Sequence, residues 1–336
     1  MPPHADPGSA RQLPDWARWL LALLPIRLLL AAIVPVLPEE AYHWNFARHL
    51  DWGYLDHPPM IAWGIAVGRQ IAGDTALGIR LVPLLFSLGT SALIARFARR
   101  IYGEAAATWA VLLFTLAPVP LLVSEAGFPD SPLLFFWTLT MALGWEAVES
   151  GRLRTWMAAG ASLGGALLSK YTAILLVPSL FFYLLLSTRD RRRLASPWPY
   201  VAGLVALGVF LPVIYWNWKH GWVSFLYQSR GRLEESHGFS LGRYLRSQAL
   251  APFTLTLPLA AVAVLRLFRS ARPEERYLLF FFVPIFLLFA AVSCARPPHL
   301  LWPLPGYLSV FVSMAGMAAE GAGRVAVFYA RIRGWL

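Results

Sequence analysis

Apolar residues along this chain gather into long unbroken runs separated by short polar connections. The runs cover Leu20–Leu37, Leu81–Ile94, Trp109–Val123, Leu133–Trp145, Met157–Leu168, Tyr171–Leu186, Val201–Trp216, Leu250–Leu265, Leu278–Val292 and Leu301–Met317. Several approach the ~20 residues a helix needs to cross a ~30 Å hydrocarbon core, and the shorter ones fit hairpins that stop partway. A membrane β-barrel needs short segments of alternating polarity, and these runs are continuous and rich in Leu and Ala. The pattern predicts an all-α, multi-pass transmembrane bundle of about nine to eleven helices. Leu20–Leu37 exceeds a signal-peptide core and runs into Pro38-Glu39-Glu40 instead of a small-residue cleavage site, so it reads as a retained first helix.

Composition agrees: 58% of the 336 residues are hydrophobic, 14% are charged, and the mean hydropathy is +0.55. The net charge of +11 comes from cations clustered between apolar runs, which membrane topology explains, so no nucleic-acid partner is expected. Clusters at Arg96, Arg99 and Arg100, at Arg152 and Arg154, at Arg189, Arg191, Arg192 and Arg193, and at Arg266, Arg269 and Arg272 recur at every second connection. By the positive-inside rule they face the cytoplasm with Arg11 and Arg18. The alternate connections then face outward: Pro38–Thr75, Ser124–Asp130, the neighbourhood of Ser169–Lys170, Asn217–Ser247 and Cys294–Trp302. The resulting layout is a disordered cytoplasmic tail over 1–15, a membrane domain over 16–320 and a cytoplasmic tail over 321–336. The single Cys294 excludes an internal disulfide framework.

The outward connections hold the unusual residues. Glu39–Leu50 looks like a helix starting after Pro38, with Tyr42 and Phe46 on one side, suited to lying along the interface. Asn217–Ser247 carries Lys219, His220, Arg230, Arg232, His237, Arg243 and Arg246, against the positive-inside bias. Either an anionic partner or a solvated loop near lipid headgroups accounts for them. Gly160-x-x-x-Gly164 is a spacing that lets helices approach closely.

Six acids or bases stand out. Glu39 and Glu40 sit together just outside the first membrane helix, although a first helical turn favours acids for its macrodipole alone. Asp56 and His57 precede a rigid Pro58-Pro59. Asp130 either starts the following helix or carries chemistry. Lys170 joins two apolar stretches with no hydrophilic loop between them. At ~2.5–3.5 kcal/mol for a lysine at a bilayer centre, it should face a cavity, a partner or an anionic ligand. Arg27 and Arg80 invite the same argument, and Arg80 has the option of snorkelling to the interface. Glu40 and His43 have i, i+3 spacing, but no second Glu-x-x-His completes a metal site, so no metal and no cofactor are expected. Walker, dinucleotide-binding and nucleophile-elbow motifs are absent from the sequence.

Taken in order, Pro38-Glu39-Glu40-Ala41-Tyr42-His43-Trp44, Gly53-Tyr54-Leu55-Asp56-His57-Pro58-Pro59-Met60-Ile61-Ala62-Trp63, Phe128-Pro129-Asp130-Ser131-Pro132 and Leu168-Ser169-Lys170-Tyr171-Thr172 resemble the bacterial family 39 glycosyltransferases. These stand with the protein O-mannosyltransferases and the lipid A aminoarabinose transferases in the C-type superfamily. The resemblance runs from about Leu20 to Leu308. It implies a sugar donor linked to a polyprenyl phosphate, a lipid, glycan or protein acceptor, contact with membrane lipids, and a site facing the periplasm from the inner membrane. It also implies catalytic roles for Glu39, Glu40 and Asp130, and donor-phosphate or substrate binding by Asp56, His57, Arg80, Lys170 and Tyr42. The family usually has Asp-Glu where this chain has Glu39-Glu40, and the lipid A transferases carry Lys where it has His57. Those transferases also have a soluble outer domain after the membrane part, and its role in acceptor recognition is not carried over to this chain. A polytopic transporter or flippase is the alternative reading, and inverted repeats in matching halves would distinguish it.

Overall fold

The computed structural model describes residues 13–231, 238–250, 252–253, 256–294 and 301–333, and every regular element among them is helical. Helix α1 (Asp15–Ile33) leads to α2 (Pro38–Arg48) and α3 (Met60–Ala72) at one end of the bundle, and α4 (Ala76–Tyr102) returns. Next come α5 (Glu104–Thr115), α6 (Pro118–Glu125) and a hairpin of α7 (Asp130–Ser150) and α8 (Leu153–Ser169). A 3-10 turn over Tyr171–Leu175 enters α9 (Leu176–Leu186), and α10 (Trp198–Lys219) precedes the short α11 (Val223–Leu226) and a π-turn over Tyr227–Gly231. The chain continues through α12 (Leu241–Leu250), α13 (Leu257–Arg269), α14 (Pro273–Val292) and α15 (Leu304–Arg333).

Each of the ten apolar runs carries a helix, so the expected all-α multi-pass fold is the observed one. Among the described residues, α1, α4, α10 and α14 can each cross a bilayer alone by length and composition, and α5 with α6, bent by 82°, forms a broken span or a re-entrant loop. The bend has a local cause. Pro118 has no N–H to continue the ladder of α5 and holds Ala117 in an extended conformation, so the run Trp109–Val123 becomes two helices. Elsewhere small residues set the spacing: a Cβ on Gly160 would stand 2.2 Å from the Ala202 carbonyl oxygen, so α8 and α10 touch backbone to backbone.

The alternating arginine clusters meet on one face. Arg100 Nη2 reaches Glu149 at 2.6 Å, Arg193 Nε donates to the Val148 carbonyl at 2.9 Å, and Arg266 bridges Glu275 and Glu320. The four motifs gather at the opposite face. Of the expected tails, residues 1–12 lie outside the described residues, and α15 runs without a break past position 320 to Arg333.

Candidate active site

The first motif forms α2 because Pro38 suits a first helical position, where its missing N–H costs nothing. Its two acids then diverge. The Glu40 carboxylate is fully buried and accepts four hydrogen bonds: from Arg80 Nε at 2.7 Å and Nη2 at 2.5 Å, and from the Leu37 and Gly127 amides at 2.9 Å each. Arg80 spends its remaining N–H groups on the carbonyls of Ala31, Val34 and Pro35. Burial pushes Glu40 upward, but the guanidinium and the two amides outweigh it and hold the carboxyl below its ordinary range. Neither member of this pair has capacity left for a substrate. Together they lock the end of α1, α2, α4 and the turn before α7.

Glu39, one residue earlier, points out from the same helix, and its carboxylate has no hydrogen-bond or ion-pair partner among the described residues. Partial burial, with the negative charges of Asp130 and Asp56, lifts its pKa above the ordinary value, and Lys170 offsets only part of this. A carboxylate so placed is unneutralised and more basic than usual, which is the condition a general base requires.

Asp130 opens α7, and Lys170 follows the end of α8 in an extended backbone conformation. The two meet in a buried pair, Lys170 Nζ lying 2.9 and 2.8 Å from the two carboxylate oxygens of Asp130. Of the cavity, partner or anionic ligand expected for Lys170, the structure shows a partner within the chain, and the lysine sits where α8 stops. Arg27 is answered in the same way, by Glu125 at 2.6 Å and Ser87 at 2.7 Å.

The Asp56-His57 turn closes on itself through the Tyr54 N–H to the His57 carbonyl at 3.1 Å, then enters α3 through Pro58-Pro59. His57 Nε2 lies 3.6 Å from Asp56 Oδ2. Tyr42 comes within hydrogen-bonding reach of Asp56. Burial first, then that carboxylate, pushes its hydroxyl up to about 12. Asp56, His57, Lys170, Tyr171, Gln228 and Trp302 line a common cleft. The structure thus brings Glu39, Asp130, Asp56, His57, Lys170 and Tyr42 together, and holds Glu40 and Arg80 behind them.

Sequence reasoning missed several residues here. Gln228 Nε2 donates to the Asp56 carbonyl at 2.6 Å from within the π-turn, a backbone form that recurs at functional sites. Tyr171 bonds Ser224 at 2.7 Å, and Phe289 and Trp302 wall the cleft from α14 and the segment after it. His43 is fully buried with neither ring nitrogen hydrogen-bonded to any described residue, and its ring lies 5.4 Å from that of His57. Burial pulls it down to about 4, so it is neutral near neutrality. Of these, only Tyr171 and His43 stand inside the recognised motifs.

A cleft with paired acids and cations at one end of a multi-pass helical scaffold suits a charged ligand. The family of dolichyl-phosphate-mannose-protein mannosyltransferases matches residues 56–216. A lipid A galacturonosyltransferase of Rhizobium johnstonii is 26% identical over 81% of this chain and 58% of its own length. An undecaprenyl phosphate-α-4-amino-4-deoxy-L-arabinose arabinosyl transferase of Pseudomonas fluorescens is 25% identical over 63% of this chain and 40% of its own. The crystal structure of ArnT from Cupriavidus metallidurans bound to undecaprenyl phosphate superposes with a TM-score of 0.74 at 20% identity, covering 90% of this chain and 60% of that one. The chain is thus similar to membrane glycosyltransferases of the kind its four motifs resemble, and it shares the fold of the ArnT structure. It spans about half the length of the curated relatives it matches.

Proposed function

We propose that the protein is an integral-membrane glycosyltransferase that moves a sugar from a polyprenyl phosphate to a lipid, glycan or protein acceptor, at the outer face and with inversion. The observation that carries this reading is Glu39: a basic, unpaired carboxylate beside a cleft that also presents Lys170 and His57. In the reaction Glu39 takes the proton of an acceptor hydroxyl as its oxygen bonds to the anomeric carbon. The bond from that carbon to the phosphate oxygen breaks on the opposite side, and the polyprenyl phosphate leaves with the electron pair. Lys170 and His57 neutralise the departing phosphate, while Asp130 holds Lys170 in place and Asp56 and Tyr42 orient sugar or acceptor. Glu40 and Arg80 act as the frame for α2. If the acceptor is itself a phosphate, no base is needed and Glu39 orients it.

The relatives' names point to transfer and not to transport, and the arginine clusters on the face opposite the motifs support an outward site by the positive-inside rule. The test is a reconstituted assay with a panel of polyprenyl-phosphate sugars that reads sugar transfer and carrier release together. Stoichiometric transfer with carrier release is expected from one member. Movement of intact lipid across the bilayer without release would overturn the reading in favour of a flippase.

A further inference from the structure

The cations of the site's face are not all explained by the cleft. Arg243 and Arg246 on α12 are exposed and have no acidic partner among the described residues. Arg232 and His237, which the sequence groups with them, lie outside the described residues. Three tethers fix where α12 sits. The Ser240 N–H donates to the Ser293 carbonyl at 2.9 Å, Tyr244 Oη to the Phe286 carbonyl at 3.1 Å, and Tyr307 Oη to Gln248 Oε1 at 3.2 Å. Ser293 and Phe286 mark the last two turns of α14, so at ~1.5 Å per residue α12 lies within about 10 Å of that helix's end. That is the depth of the boundary between headgroups and acyl chains.

The sides of α12 match such a place. Tyr244 and Gln248 are buried against the bundle, while Phe239 and Leu245 stay 74% and 45% exposed. Arg243 and Arg246, three residues apart, share a further face. A helix with one docked side, one bare apolar side and one bare basic side complements a surface that is both oily and anionic. We infer that α12, with Phe239, is an interfacial anchor whose Arg243 and Arg246 bind the phosphates of anionic phospholipids in the leaflet on the site's side. The anchor fixes the Phe289 and Trp302 wall of the cleft at the level of the headgroups. It requires the membrane orientation proposed above but not the transfer reaction.

The experiment uses the full chain reconstituted in an equal mixture of phosphatidylcholine and phosphatidylglycerol, with the lipid retained after mild detergent extraction counted by mass spectrometry. Wild type should enrich phosphatidylglycerol roughly tenfold at low salt, less at high salt. Arg243→Gln/Arg246→Gln, with helicity and elution volume unchanged, should bring the two lipids to near parity, and Phe239→Ser should lower retention of both. Parity in wild type, or enrichment that survives the double substitution, overturns the proposal. So does a double variant that keeps its lipids but loses transfer to anionic acceptors only, which would make the acceptor the occupant of this face. Because lipid retention needs no turnover, failure of the glycosyltransferase reading would leave this result untouched.

Discussion

The two ends of the bundle are both rich in charge, and they use it differently. On the arginine-rich face the acids are matched: Glu146 and Glu149 with Arg100, and Glu275 and Glu320 with Arg266, while Arg193 donates to the carbonyls ending α7. Tyr102 adds its hydroxyl to Glu275 at 3.0 Å. These contacts join α4, α7, α13, α14 and α15, and they make that face a clasp. On the motif face Glu40 and Arg80 make a comparable clasp, deeper and more completely bonded, but next to it Glu39 is left unmatched. Charge consumed within the protein builds the frame. Charge left over is available to a substrate.

The comparison breaks first, and with the largest effect, if the unmatched acid is dispensable. Glu39→Gln keeps the size and loses the base, so transfer should fall by about 10²- to 10⁴-fold with insertion and melting temperature unchanged. Glu39→Asp, which restores the acid found at this place in the family the motifs resemble, should recover part of the rate. Wild-type turnover in Glu39→Gln would place the base elsewhere. The same carboxylate sets a pH limb. Its pKa is raised and its working form is ionised, so the rate should fall as pH drops, beginning above the range of an ordinary carboxylate, by about tenfold per unit below it. In Glu39→Gln that limb should vanish from the residual rate.

The frame is the next largest effect. Arg80→Met leaves Glu40 buried and unpaired, and the loss of one partner of a buried pair costs about 3–5 kcal/mol. Thermal unfolding of the purified variant reads this directly, and a melting temperature equal to wild type would return Arg80 to the list of substrate ligands. Because the carboxyl of Glu40 lies below its ordinary range when folded, its contribution is full above that range and is lost as pH falls through the lowered value.

How much of this was legible in the sequence follows from what carries each feature. The helices were, because ten apolar runs with polar punctuation leave few alternatives, and so was α2, with Pro38 and two acids at its start. The gathering of the four motifs was legible only as a resemblance. The division of labour between Glu39 and Glu40 was not. Adjacent helical residues point about 100° apart, and nothing local says which will meet an arginine forty positions away. Gln228, Phe289 and Trp302 were also hidden, since they reach the cleft from segments with no motif of their own. Lys170 was read as facing a cavity, a partner or an anionic ligand, and spacing could not name Asp130.

That pair gives the sharper intermediate test. With Asp130 buried beside it, Lys170→Met should both weaken donor binding, by about tenfold or more, and destabilise the protein, since it strands a buried carboxylate. Lys170→Arg should keep some of both, as charge survives and geometry changes. Adding Asp130→Asn to Lys170→Met should restore the melting temperature without restoring affinity for a polyprenyl phosphate. Recovery of affinity in the double variant would mean that Lys170 serves Asp130 alone.

The smallest effect is expected at the clasp on the opposite face, and its smallness is the point. Arg100 and Glu149 meet at 2.6 Å, yet their side chains are 45% and 35% exposed. An ion pair this open gains little Coulomb energy in water and holds two long side chains still to do so, so exposed pairs contribute about 0–1 kcal/mol. Arg100→Gln should therefore shift the melting temperature by a degree or two at most, less in high salt, and leave the transfer rate and its pH limb as in wild type. If Arg100→Gln instead cost as much activity as Glu39→Gln while the fold held, the leftover charge would not be what separates the two faces, and the cleft would have to be sought at the arginine-rich end.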